Sequence, residues 1–590
     1  MPKPVPIVAA TEKSRVFLTI RARAATLRAW FLGVGMRLPF GTVGLVVLSL
    51  FVFVAASLAP ASAAVSSWRI TKDHWDATDE KGYEDFVTGL GAADCWTIDE
   101  CLKGPGNPYR NTDPRTKFLM DCADVPYFLR AYYAWKNGLP FGWQNAMQSS
   151  DGPRGDIRYS SDGNRIVGRT SVPATASGVS AVPLLFQIAN TVSTAMYRRD
   201  SRSDSATYFA DTYSPSITRK GIRPGTIAYD VNGHVSIVWR VETNGRILIF
   251  SSHPDHTMSR SFVGREFLRT GPELGSIFQN WRPIRLVGAK RLPSGVYVGG
   301  RLTGASNAEI PEFSLEQYLG NPPVSPLLWA TAKFDKDGEA MDFYTYVRAR
   351  LSKGDLAYHP VEEVRAMMQS LCSDIRTRNQ AVLISREEGR THRMTPPQSL
   401  PRNIYGTDGV WELYSTPSRD ARLKTAYKEM YDTVRQFVTL QSIDSPRLVY
   451  KGSDLAGDML AAYEQESAAC VTEYKTSAGR HIPLSIDDVS KRLFKLSFDP
   501  YQCVERRWGA TDPAELASCT DDALKTRWYE AQQPLRNQID RTYDIEMNST
   551  LAELERGPFG LQTGRGVETP PEVDVKSWLK TQMSQRAAQN

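Results

Sequence analysis

The chain has 590 residues, 71 basic against 65 acidic, an ordinary apolar fraction, seven cysteines and seven histidines. The first 63 residues carry seven bases and one acid. Without them 527 residues remain with 64 charges of each sign, which removes any call for a nucleic-acid partner. The composition is that of a chain that builds sizeable cores, not of a disordered or fibrous one.

In chain order, the first segment reads as an export signal. Arg15, Arg21, Arg23, Arg28 and Arg37 precede an apolar run from Val43 to Ala59, which ends in Pro60-Ala61-Ser62-Ala63-Ala64. Ala61 and Ala63 satisfy the small-x-small requirement of signal peptidase, so cleavage is expected after Ala63, with translation starting at Met36. The competing reading is a retained membrane anchor, because the run approaches spanning length. The expected location is the periplasm or the outside of the cell, with the membrane met only during export. In an oxidising compartment, proximity suggests the cysteine pairs 95–101, 372–470 and 503–519, leaving Cys122 unpaired.

A helix is predicted over Phe118–Gly138, stopped by Asn137-Gly138 and Pro140. The Ser/Gly/Asp/Arg-rich stretch from Ser149 to Gly178 reads as a loop, and Val182–Tyr197 as a second helix. Arg223 to Leu302 alternates apolar and polar residues between turn dipeptides and reads as strands. From about Gly304 helical patterns dominate: 335–353, 361–385, 419–441, 454–474, 486–494 and 523–545. The expected organisation is a signal over 1–63 and an α+β domain over 64–305 with an insertion around 141–220. A helical domain over 306–556 and a polar, loosely ordered tail over 557–590 follow.

The candidate chemistry lies in the first domain. Asp121 and Asp124 can form a capping pair around Cys122; alternatively Asp124 is the cap, which suits Pro126 better. Either way Cys122 lies at the positive end of a helix, where a thiolate is favoured. A base is offered by His234, which opens the strand His234-Val235-Ser236-Ile237-Val238-Trp239. Strand alternation puts His234 with Ser236 and Val238, and Val235, Ile237 and Trp239 on the other face. With Asn244-Gly245 as a two-residue hairpin loop, Thr243 faces Arg246 and Ser236 faces His253. His253 is then a diagonal neighbour of His234, able to orient the imidazole, and a better third member than Asp255.

Asp121-Cys122 opening a helix, Pro224-Gly225-Thr226-Ile227-Ala228-Tyr229, and Gly233-His234-Val235-Ser236-Ile237 together resemble the NlpC-type, papain-like cell-wall cysteine peptidases over roughly residues 90–300. The family pattern is Asp-Cys-Ser-Gly on a helix, then Pro-Gly-Asp-Leu, then His-Val-Gly-Ile on the sheet. Ala123-Asp124 and Thr226 depart from it, and the Cys-to-His separation is longer than in compact members. The resemblance implies a helix bearing Cys122 packed on an antiparallel sheet bearing His234. It further implies Cys122 as nucleophile, His234 as base, His253 as orienter, and the peptide stem of peptidoglycan as substrate. It also suggests Tyr109 as an oxyanion support, beside the Cys122 backbone N–H and with Asp121 at the helix start.

The same pair would also serve a transglutaminase-like or acyltransferase reaction. In a different class altogether, the chain is a non-catalytic envelope scaffold with Cys122 buried. No cofactor or metal is called for: His253 and His256 fall on opposite faces, Gly299-Gly300 forms no phosphate loop, and Asp335-Lys-Asp-Gly338 lacks a calcium loop's terminal Glu. The helical region offers no readable chemistry and is a candidate surface for a protein partner.

Overall fold

The computed structural model describes residues 66–152, 155–204, 208–406, 409–541 and 545–589. The signal, the Met36 start and the cleavage after Ala63 fall outside the described residues. Among the described residues no helix is long and apolar enough to cross a membrane. Residues 65–590 form one compact unit of mixed α/β structure whose C-terminal region is mainly helical.

Helix α1 (Ala77–Ala92) starts at a complete capping box: Asp76 accepts from the N–H groups of Thr78 and Asp79, and the Asp79 carboxylate accepts from Asp76 N–H. It buries Tyr83, Phe86, Val87 and Leu90. Helix α2 (Asp124–Asn137) ends where the sequence predicts, at Gly138 with φ 65°, a left-handed cap that glycine adopts without a Cβ clash.

Both helices lie on one face of a six-stranded antiparallel sheet. Its strands are β1 (Thr212–Tyr213), β2 (Ile227–Asp230), β3 (His234–Val241), β4 (Ile247–Ser252), β5 (Met258–Phe262) and β6 (Phe278–Trp281), in the order β1-β6-β2-β3-β4-β5. Ile227, Tyr229, Val235, Ile237 and Phe250 point into a core shared with Phe86, Leu90, Val125 and Leu129. Gly91 of α1 comes so close to β3 that an added Cβ would sit 2.4 Å from Trp239 Cβ, so the helix lies almost against the strand.

The opposite face is also covered. Ala228, Val238, Ile249 and Phe278 pack with Phe343, Tyr346, Val347 and Leu351 of α3 (Phe343–Leu351). Beyond them α4 (Pro360–Glu387), α5 (Pro417–Ser442) and α6 (Leu455–Ala469) build a third layer with its own core, including Met368, Leu371, Tyr427, Val434 and Met459. Disulfides join Cys95–Cys101, Cys372–Cys470 and Cys503–Cys519, and Cys122 is free.

Three expectations need correction. The stretch read as a loop after Ser149 contains half of a hairpin, Gly142–Ser149 paired with Asn164–Ser171; after Asn164 the second strand has no further buried residue and so needs no apolar alternation to read. The second helix is shorter, Ala181–Thr191, with only a single 3₁₀ turn at Thr194–Met196. The polar tail is ordered: α7 (Val575–Gln589) sets Val575 and Leu579 into the third-layer core at i, i+4 spacing. Leu579 is completely buried. Leu579→Ala is therefore expected to lower stability to chemical denaturation by about 2–5 kcal/mol, the cost of a buried leucine cavity. A change below about 0.5 kcal/mol, the size of a surface effect, would contradict the docking of α7.

Candidate active site

The turn that opens α2 is built by two aspartates. Asp121 accepts from the N–H groups of Ala123 (3.0 Å) and Asp124 (3.3 Å), while Asp124 Oδ2 accepts from Asp121 N–H (3.3 Å). Of the two capping arrangements read from sequence, this is the reciprocal Asp121–Asp124 pair, and Pro126 still falls in the first turn of α2. Tyr197 Oη donates to Ala123 O (2.7 Å) and Ser252 Oγ to Met120 O (2.6 Å), so both sides of Cys122 are tied down.

Strand β3 supplies the partner of the thiol. Gly225 N–H donates to Val238 O, and Val238 N–H to Thr226 O, so the even-numbered amides of β3 face the β2 side. The odd-numbered ones face β4. Pairing with β4 begins only at Ile237 with Phe250, and the next amide on that side, Val235 N–H, lies near enough to the Cys122 sulfur to favour its thiolate. The thiol thus sits where β3 and β4 part, one residue from His234.

The hairpin brings the two histidines closer than the expected register does. Its loop holds three residues, Thr243-Asn244-Gly245, closed by Glu242 N–H to Arg246 O, and a bulge at Trp239 shifts the ladder again. Val238 pairs with Ile249 and Ile237 with Phe250, and the same register continued places His234 opposite His253. Their rings lie nearly parallel (13°) with centroids 5.3 Å apart. His253 Nε2 shares a 3.0 Å hydrogen bond with Ser259 Oγ, which in turn meets Ser251 Oγ at 3.0 Å. Among the described residues, no hydrogen bond joins either ring to the other or to the Cys122 sulfur.

Tyr109 does not reach this place. Its Oη donates to Asn137 Oδ1 (3.2 Å) at the far end of α2, roughly 20 Å along a 14-residue helix. The tyrosine that does touch the opening turn is Tyr197. Asp255 is also engaged elsewhere, in a buried ion pair with Arg419 of α5 (2.7 Å).

Arg419 belongs to a group of residues that sequence reasoning passed over. Arg419 and Arg422 come from α5, Arg541 from a later loop, and Asp374 from α4. Arg541 pairs with buried Asp230 (2.9 Å), and Arg422 Nη1 donates to Ser418 Oγ (3.0 Å). Nothing in the sequence distinguishes these side chains from solvated ones; only the packing of α4 and α5 over the histidine face does.

Their charge sets the protonation of the site. Burial, reinforced by the Asp121 carboxylate, pushes the Cys122 thiol up, against the Val235 N–H. Burial pulls His234 well below its ordinary range, and the positive charges of Arg422, Arg541 and Arg419 pull it further. His253 moves the same way, by burial and then Arg419 and Arg422. The resting site is therefore a neutral thiol beside neutral imidazoles, not a thiolate–imidazolium pair. The cavity over His234 has about 30 Å³, room for roughly one water and none for a peptide.

The one group of metal-type ligands within mutual reach among the described residues is Cys503, Cys519 and Asp521, and both of its sulfurs are consumed by a disulfide. Comparison with known proteins finds no matching family model, no similar curated protein and no similar solved structure.

Two outcomes follow from the covered site. Arg419→Ala removes the anchor between α5 and the β4–β5 turn and strands Asp255. Alkylation of Cys122 by iodoacetamide in the native protein is expected to speed up about tenfold or more, read by mass spectrometry. An unchanged rate would mean that α5 does not guard the thiol. The acids at the same interface behave as a pH element. Burial pushes Asp374 up to about 7, opposed by Arg422. Burial also raises Glu266 and Glu429, helped at Glu266 by the Glu429 charge, with Arg265 and Arg348 opposing at Glu429. Carboxyls with raised folded values contribute fully below the unfolded value near pH 4 and lose that contribution as pH rises through about 7. The buried histidines, lowered in the folded state, act in the opposite sense over the same range, so the readout is a difference: the melting temperature of Asp374→Asn relative to wild type should rise from pH 5 to pH 8, and a difference that does not change with pH would contradict the assignment.

Proposed function

We propose that the protein is an exported thiol hydrolase that cleaves an amide bond, with the stem peptides of peptidoglycan as substrate. The observation that carries this is the placement of Cys122: an unpaired cysteine at the capped start of α2, near the amide of Val235, the residue after His234. A papain-like arrangement uses the same elements, a helix start against an antiparallel sheet whose strand opens with histidine.

In this reaction His234 takes the thiol proton as the Cys122 sulfur attacks the carbonyl carbon. The Cys122 backbone N–H, at the positive end of α2, faces the developing oxyanion. The C–N bond breaks as His234 passes its proton to the leaving amine, and water then cleaves the thioester and restores the thiol. His253, held by Ser259, fixes the ring opposite His234. The reaction needs the α4–α5 layer to move off the histidine face, because a peptide does not fit the closed cavity. Withdrawal of Arg419 and Arg422 and entry of water would lower the thiol's pKa and raise the imidazole's, so opening and activation are the same event.

A second reading has its own support. A thiol pushed up by burial and a cavity of about 30 Å³ suit a non-catalytic envelope protein whose papain-like part has become structural. Digestion of purified peptidoglycan separates the two. The wild type should release fragments with new peptide termini, and Cys122→Ala should lose at least ~10³-fold of that rate, as removal of a covalent nucleophile does. Identical fragment spectra from both proteins would end the hydrolase reading.

A further inference from the structure

Away from the cysteine, the C-terminal half holds a cavity of about 780 Å³ between the end of α4, the segment that follows it, the strand Val471–Lys475 and the chain around residues 500–525. Six cations line it: Arg386, Arg390, Arg393, Lys475, Arg507 and Lys525. Only two acids do, Glu387 and Asp522. Asp522 is already occupied in capping a helix, accepting from Lys525 N–H (2.9 Å).

Among the described residues none of the six cations forms an ion pair. Arg386 donates to the carbonyls of Lys475 and Thr476, Lys525 to the carbonyl of His392, and Arg507 to Ser497 O and Ser385 Oγ. This is a local property. Nearby arginines of the same layer are matched, Arg378 to Asp420 at 2.7 Å and Arg492 to Glu515 at 2.6 Å.

Concentrated like charge on a concave wall raises the potential inside it and is relieved by a counter-ion. His392 reports that field. Burial lowers its affinity for a proton, and Arg393, Arg386 and Lys525 lower it further. Its Nδ1 is buried without a partner. The backbone points the same way: Arg390 takes φ 49° and ψ 30°, a left-handed conformation that a non-glycine residue rarely adopts, and so turns the chain into the rim.

The lining also narrows the ligand. No phenyl, phenol or indole ring borders the cavity, so it offers no broad platform for a nucleobase or a sugar face. The hydroxyls of Ser385 and Thr391 bond each other (2.8 Å) and that of Ser477 donates to Glu505 (2.9 Å), so the donors left for a ligand are cationic N–H groups, the kind that matches phosphate oxygens.

We propose that this cavity binds an anion carrying several phosphates in a row, with about four negative charges to balance six cations against two acids. A free oligophosphate and the backbone of a phosphodiester polymer share this chemistry.

Titration calorimetry of the full chain with sodium tripolyphosphate, at low salt and in 0.3 M NaCl, tests it. Saturable binding to one site, weakened by salt, is expected. The double variant Arg390→Glu/Arg393→Glu, both at exposed positions, should weaken it at least tenfold. The double variant Arg115→Glu/Arg301→Glu, at exposed positions outside the cavity, makes the same change of net charge and should bind as the wild type does. Matching melting curves establish that the variants fold. No saturable binding at low salt, equal binding by Arg390→Glu/Arg393→Glu, or citrate binding as tightly as tripolyphosphate would each overturn the proposal. A glycerol-phosphate polymer titrated in parallel identifies the source: tighter binding per phosphate than tripolyphosphate assigns the site to a phosphodiester chain, and weaker binding to a free oligophosphate.

Discussion

Both faces of the central sheet are buried, and that constraint governs everything polar that lies on it. A sheet with one wet face could carry His234, Ser236, Ser251 and His253 at no cost. Here α3, α4 and α5 cover that face, so each of these groups must be neutral, bonded or matched. The serines meet this by bonding, Ser251 and Ser259 with each other and Ser259 with His253. The acids meet it through arginines from the far half of the chain, Asp255 with Arg419 and Asp230 with Arg541. The histidines meet it by staying uncharged.

The same constraint explains why the candidate site looks as it does. A thiolate–imidazolium pair would place two further charges in a layer that already holds three arginines. Neutrality is the cheaper state in the closed form, and the nearby Val235 amide, which favours the thiolate, does not outweigh burial. Reactivity and covering are thus opposed, and the arginines that fasten α5 to the sheet are also the groups that keep the imidazoles unprotonated. The helical region is in this sense part of the site, although it contributes nothing that resembles a catalytic group.

The parts legible in the sequence were the local ones. Asn137-Gly138 as a helix stop, Asp121 with Asp124 as a cap, the strand opening at His234, and the disulfides Cys95–Cys101 and Cys503–Cys519 all depend on short-range pattern or small loops; Cys372–Cys470, 98 residues apart, is the exception. The register of β3 on β4 was not legible, because a three-residue loop and a bulge at Trp239 each shift it and neither has a fixed signature. Side-chain alternation still placed His253 on the face of His234, since the combined shift preserves the strand's parity. Tyr109 was misplaced because a motif position carries no distance. Arg419, Arg422 and Asp374 could not be found at all: their environment exists only once residues more than a hundred positions away pack over β4. The helix at 575–589 was hidden by its polar flanks, although Val575 and Leu579 carry its spacing.

The free cysteine has a consequence for the order in which the chain assembles. Synthesis delivers Cys95 and Cys101 before Cys122, and only six positions separate the first two, so they can close on each other before a third thiol competes. The next cysteine after Cys122 is Cys372, some 250 residues later. Once Cys95–Cys101 has closed, Cys122 is the sole thiol among residues 95–371, and α2 with β3 can enclose it before Cys372 arrives. Wrong pairing is thereby avoided by timing rather than by geometry. A circular permutant that brought Cys372 or Cys470 ahead of Cys122 would keep every contact described above and lose that protection.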